Sequence, residues 1–82
     1  MTQRATVVAI LHFYHTLVEF PATLTSQEIS DYMNEFDDLT PLTTTQINSV
    51  GRDNDELELY YPDIIAVYLG ASQWQIKLKR MI

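Results

Sequence analysis

LTSQEI at residues 24–29 and LTTTQI at residues 42–47 are two copies of one motif, and this motif decides the fold. In each copy, a threonine precedes Glu or Gln by three residues, which is the spacing of a capping box. The leucine before the cap and the isoleucine at the fourth helical position have the spacing of a hydrophobic staple. The sequence therefore predicts two helices, which begin at about Thr25 and Thr43.

A longer apolar pattern precedes the first motif. Apolar residues recur with a period near 3.6 and predict a helix from about Gln3 to Phe20, which Pro21 would end. The second helix is expected from Ser26 to about Asp37. Its buried stripe has the spacing i, i+3, i+4, i+7 and consists of Ile29, Tyr32, Met33 and Phe36.

The third helix begins near Thr44, and its end is open. Gly51 suits the left-handed conformation of a helix C-terminal cap. Alternatively the helix continues to Pro62, since apolar and polar residues after Gly51 keep a helical spacing.

The last segment changes to the period of a strand. Residues 64–69 are β-branched, aromatic or otherwise apolar, residues 70–72 read Gly-Ala-Ser, and Trp74, Ile76 and Leu78 then alternate with polar residues. This pattern predicts a hairpin that packs on the helices, with Trp74 as its anchor. The expected fold is α+β, with a three-helix N-terminal bundle followed by a C-terminal β-hairpin in a single domain over residues 1–82.

Composition excludes several classes of protein. The chain has 82 residues and no cysteine, so disulfides and cysteine-bound metals are excluded. The apolar stretch at residues 5–11 is too short for a membrane span and lacks the features of a signal peptide, which predicts a cytoplasmic protein that binds no membrane. The net charge is −6; all eleven acidic residues precede residue 64, whereas three of the five cations follow it.

The order of three helices and a hairpin resembles the winged-helix branch of the helix-turn-helix superfamily. The resemblance implies a third helix that enters the major groove of DNA and a hairpin wing, residues 69–74, that touches the backbone. Carried over to this chain, the implied DNA-binding residues are Thr44, Thr45, Asn48, Ser49 and Arg52 on the helix and Lys77, Lys79 and Arg80 on the second strand.

Two functions follow from these patterns. The first is a small non-enzymatic DNA-binding regulator, expected to dimerise through the first helix because one small module gives limited affinity. The alternative is an acidic protein-interaction module or inhibitor that binds a basic partner protein, for example one that itself binds nucleic acid. Its acidic surface would consist of Asp37, Asp38, Asp53, Asp55, Glu56 and Glu58.

Two clusters of polar residues contain side chains of the kinds that form metal or catalytic sites. His12, His15 and Glu19 share one helical stripe, but a solvated polar face explains that spacing. The acids at residues 53–56 alternate like calcium ligands, but they lack the glycine and the closing glutamate of a calcium loop. The sequence therefore predicts no catalytic residue, no cofactor and no metal.

Overall fold

The computed structural model describes residues 2–61 and 63–79, which form three helices and one four-stranded antiparallel sheet. In chain order the elements are α1 (Gln3–His15), β1 (Ala22–Thr25), α2 (Ser26–Met33), α3 (Thr44–Asp53), β2 (Glu56–Glu58), β3 (Ile64–Gly70) and β4 (Gln73–Leu78). The strand order is β1-β4-β3-β2. The expected α+β class is confirmed, with its three helices and its later hairpin.

Both predicted capping boxes are present. Thr25 Oγ1 accepts from the Glu28 amide at 3.1 Å, and Glu28 Oε1 accepts from the Thr25 amide at 3.1 Å. Thr43 and Gln46 make the same reciprocal pair, at 3.2 Å and 2.9 Å. The isoleucines of the two motifs are fully buried, so each box fixes both the start of a helix and the direction of its apolar face.

The first two helices are shorter than predicted. α1 ends at His15 instead of Phe20, because the Thr16 hydroxyl and the Leu17 amide bond to carbonyls three residues back, at 2.8 Å and 2.9 Å. α2 ends at Met33 instead of Asp37, where the Glu35 amide makes the same kind of bond. Such i→i−3 bonds tighten the chain into a turn and stop the helix well before a proline is reached.

The third helix passes through Gly51 and ends at Asp53, so both predicted ends were wrong. Gly51 is not a cap; it lies inside α3, where the helix packs closely against the sheet. A Cβ atom at this position would stand 2.4 Å from Tyr68 Cγ. The helix does not reach residue 62 either. Glu56–Glu58 instead forms β2, which pairs with β3 and buries only its central residue, Leu57.

The hairpin of β3 and β4 is confirmed, and Trp74 is fully buried as expected. Its turn has three residues with positive φ: Gly70 at 88°, Ala71 at 51° and Ser72 at 61°. β1, which was not predicted, pairs with β4 and makes it a central strand. Side chains alternate across the sheet, so that Leu57, Ala66, Trp74 and Ile76 face the helices and form the core with α1.

α1 contributes the longest uninterrupted buried stretch to this core. Residues 6–11 are buried without a break, so the wide apolar face of the helix is used inside the molecule along that length. No helix within the described residues is long and apolar enough to cross a membrane.

Candidate functional site

The outward face of α3 is the surface that the sequence predicts to contact DNA. Thr45 and Arg52 are exposed on it, and Thr44, Asn48 and Ser49 are half-buried. Asn48 does not present its amide to solvent as a base-reading group would. Its Nδ2 donates to Ser72 Oγ at 2.9 Å, and its Oδ1 accepts from Ser26 Oγ.

Asn48 belongs to a polar network that joins three elements, which we call the tip network: Ser26, Asn48, Ser72 and Trp74. Trp74 Nε1 donates to Ser26 Oγ at 3.1 Å, and the Ser26 amide donates to the Ser72 carbonyl at 2.8 Å. The network holds the hairpin turn against α2 and α3. The predicted wing is therefore packed on the helices at Ser72. Sequence spacing gave no sign of these polar contacts, because the side chains bonded to each other are 22 to 48 residues apart.

The predicted basic strand lies on another face. Trp74 and Ile76 point toward the helices, so Lys77 and Lys79 lie on the opposite face of the sheet. Lys79 Nζ forms an ion pair with Glu58, and this hydrogen bond and charge lower the pKa of Glu58. Arg80 lies outside the described residues. The structure therefore does not bring Lys77 and Lys79 together with the polar face of α3.

Charge is distributed unevenly over the surface. All eleven acidic residues are exposed. Among the cations of the described residues, Arg4 donates from Nε to Asn54 Oδ1 at 3.3 Å at the far end of α3, and Lys79 is paired with Glu58. Arg52 is the one cation of α3, so the outward face of this helix carries little positive charge.

A second surface was missed by the sequence analysis. Seven aromatic residues and two histidines form a continuous series of ring contacts at the C-terminal end of α1, which we call the aromatic belt: His12, Phe13, Tyr14, His15, Phe20, Tyr32, Phe36, Tyr60 and Tyr61. Ring centroids are 5.6 Å apart for Phe13 and Phe36, 4.6 Å for His12 and Tyr60, and 5.7 Å for His15 and Tyr61.

Much of the aromatic belt is open to solvent. Phe13 is 50% exposed, Tyr60 60% and Tyr61 56%, and the adjoining Leu17 is 65% exposed. Tyr60 and Tyr61 lie on the surface because the chain between β2 and β3 carries them outward. The spacing of Phe13 and Leu17, one helical turn apart and beyond the buried part of α1, was the only sequence signal for this surface.

The two histidines sit inside the aromatic belt. His15 Nδ1 bonds to the His12 carbonyl, and His12 Nδ1 is buried with no hydrogen-bond partner among the described residues. Desolvation and the neighbouring His15 lower the pKa of His12. Within the described residues, no group of three His, Cys, Asp or Glu side chains is placed to hold a metal ion.

Comparison of the chain with protein-family models, with curated proteins and with solved structures finds no match.

Proposed function

We propose that this chain is a non-enzymatic protein-interaction module that binds a basic partner protein. The observation that carries the proposal is the charge distribution: all eleven acids are exposed, while Lys77 and Lys79 lie on the sheet face away from α3. A surface of this kind attracts cationic proteins and raises their association rate. It repels the phosphates that supply most of the affinity of DNA-binding proteins.

A DNA-binding regulator is the second candidate function, and it has its own support. Helix order and the hairpin fit the winged-helix-like arrangement, and Thr45, Ser49 and Arg52 lie on the outer side of α3. Hydroxyl and guanidinium groups are suited to phosphates and base edges. Against it stands Asn48, whose amide is already used in the tip network.

One titration separates the two functions. Purified protein is added to fluorescein-labelled mixed-sequence duplex DNA, and in parallel to a labelled lysine-rich peptide, across a salt series. The proposed function predicts peptide binding that weakens with salt and no DNA binding at any salt concentration. The D37N/D38N variant should weaken peptide binding, since both carboxylates are exposed.

The opposite result would replace the proposal by the second candidate. In that case DNA is bound and the peptide is not, and Arg52→Ala lowers the affinity for DNA. Lys77→Ala is the matched control. This cation lies on the other face of the sheet, so its loss should lower the affinity for DNA less than the loss of Arg52 does. Binding of neither probe contradicts both functions.

A further inference from the structure

We propose that the exposed part of the aromatic belt, together with Leu17, is a docking site for a basic amphipathic segment of the partner protein. This inference rests on the proposed function and names the surface at which it acts. Apolar side chains of the segment would cover Phe13, Leu17, Tyr60 and Tyr61. Its Lys and Arg side chains would meet the carboxylates that border them.

Exposed apolar side chains are concentrated in the aromatic belt and at Leu17. Six large apolar side chains are exposed among the described residues, and four of them are Phe13, Leu17, Tyr60 and Tyr61. The remaining two, Leu69 and Leu78, lie on β3 and β4. Scattered apolar residues are normal on a surface, but a grouped patch is typical of an interaction site.

The rings are also held in place before any partner arrives. Phe13 is stacked on Phe36, whose ring meets Tyr32 at 5.2 Å, and Tyr32 in turn meets Tyr14 at 5.5 Å. On the other side, His12 lies between Phe13 and Tyr60, with its centroid 6.0 Å and 4.6 Å from theirs. A surface fixed by its own packing loses little side-chain entropy on binding, and large rigid aromatic side chains are the ones that contribute most to interfaces.

Charge decides what kind of partner fits. The segments that form the belt, residues 12–20, 32–36 and 60–61, contain no Lys or Arg. Three exposed carboxylates directly adjoin belt residues in sequence: Glu19 precedes Phe20, and Glu35 and Asp37 flank Phe36. If the belts of two copies of this chain packed against each other, carboxylates would face carboxylates and the belts would supply no cation to neutralise them. A partner with Lys and Arg around an apolar stripe complements both the rings and the acids.

The test uses two short labelled peptides of equal charge. One is a leucine–lysine peptide patterned as an amphipathic helix, and the other has serine in place of leucine. The proposal predicts tighter binding of the leucine–lysine peptide by the full chain. The L17S/Y60S variant should weaken that binding by about tenfold or more, as expected when central apolar contacts are removed.

The matched control is the L69S/L78S variant, which removes the two exposed leucines outside the belt. It should change the affinity for the leucine–lysine peptide by less than about twofold. Far-ultraviolet circular dichroism and melting curves establish that both variants fold, and Tyr60→Phe, which keeps the ring, should retain binding.

The outcomes separate this inference from the proposed function. If both peptides bind equally and L17S/Y60S has no effect, the acidic surface binds cations without the belt, and the docking site is wrong while the proposed function stands. An equal loss in both double variants also overturns the docking site. If neither peptide binds, the proposed function itself fails. Dimerisation that L17S/Y60S abolishes would assign the belt to a second copy instead.

Discussion

Gly51 is the position where a single methyl group should cost the most. A Cβ atom there would stand 2.4 Å from Cγ and 2.7 Å from Cβ of Tyr68. Neither atom is the free end of a side chain, because Tyr68 is anchored in β3 and its ring lies 5.1 Å from that of Trp74. Any added atom must therefore move α3 away from the sheet.

We expect Gly51→Ala to lower the free energy of unfolding by about 2–3 kcal/mol, the upper part of the range for overpacking. Urea denaturation followed by circular dichroism measures the change. Ser49→Ala is the control in the same helix, where alanine should be neutral or slightly stabilising. A Gly51→Ala protein as stable as the parent would mean that the helix and sheet are more loosely packed than the structure describes.

We expect His12 to make the stability of the protein depend on pH. Its neutral ring lies between the rings of Phe13, His15, Tyr60 and Tyr61, and its pKa is lowered from 6.5 by desolvation and by His15. Below pH 6.5 the unfolded chain takes up a proton at this residue more readily than the folded one. The free energy of unfolding should therefore decrease as the pH falls below that value.

His12→Phe keeps a ring at this place and removes both the ionisable group and the unpartnered nitrogen. We expect this variant to be at least as stable as the parent at neutral pH, because a buried polar atom without a partner is destabilising. Its stability should change less than that of the parent between about pH 7.5 and about pH 5. If the unfolding free energies of the two proteins changed equally with pH, His12 would not contribute to the pH dependence of stability.

At the scale of the elements, the tip network is the contact that fixes the hairpin turn. Asn48→Ala removes the donor to Ser72 and the acceptor for Ser26. We expect a loss of about 1–3 kcal/mol in unfolding free energy, the range for leaving buried polar groups without partners. Thermal or urea unfolding measures it, with Thr45→Ala on the exposed side of the same helix as the control.

The same variant tests the role that the winged-helix resemblance assigns to Asn48. A base-contacting residue would change DNA affinity and leave stability near that of Thr45→Ala. A residue of the tip network lowers stability whether or not DNA is bound. Stability unaffected by Asn48→Ala would count against the network and in favour of an outward-facing amide.

Helix starts were predictable from the sequence, and helix ends were not. A capping box needs only a threonine and a Glu or Gln three residues apart, so the motifs at Thr25 and Thr43 carry the whole signal. The ends of α1 and α2 are set by i→i−3 bonds that any residue can make. β1 and β2 have four and three residues, too few for an alternating pattern, and they exist because β4 and β3 offer them an edge.

The candidate site was predictable only in part. The polar outer side of α3 followed from helical periodicity, and Thr45 and Arg52 are indeed exposed. That Asn48 turns inward depends on Ser26 and Ser72, which are distant in the chain. The position of Lys77 and Lys79 on the opposite face depends on which side of the hairpin the helices cover, and strand alternation alone leaves that choice open.

For the molecule as a whole, the net charge of −6 works against the compact state. All eleven carboxylates are exposed, and their mutual repulsion reaches over a Debye length of roughly 10 Å at 0.1 M salt. We expect the melting temperature to rise as sodium chloride is added from low to moderate concentration. The D37N/D38N variant should show a smaller rise. A melting temperature that falls with salt would mean that ion pairs such as Lys79–Glu58 outweigh the repulsion.

The place of β4 in the sheet has a consequence for how the chain is made. Among the described residues, β4 follows every other element in sequence and yet lies between β1 and β3, with Ala22 opposite Ile76. At translation rates of about 5–20 residues per second, roughly 3–10 s pass between the synthesis of β1 and that of β4, with which it pairs. During that interval α2, α3, β2 and β3 are synthesised, but the sheet that covers the helices is incomplete. The four-stranded sheet can therefore be completed only after β4 has been synthesised, and a ribosome stalled before residue 73 would hold a chain with an open core.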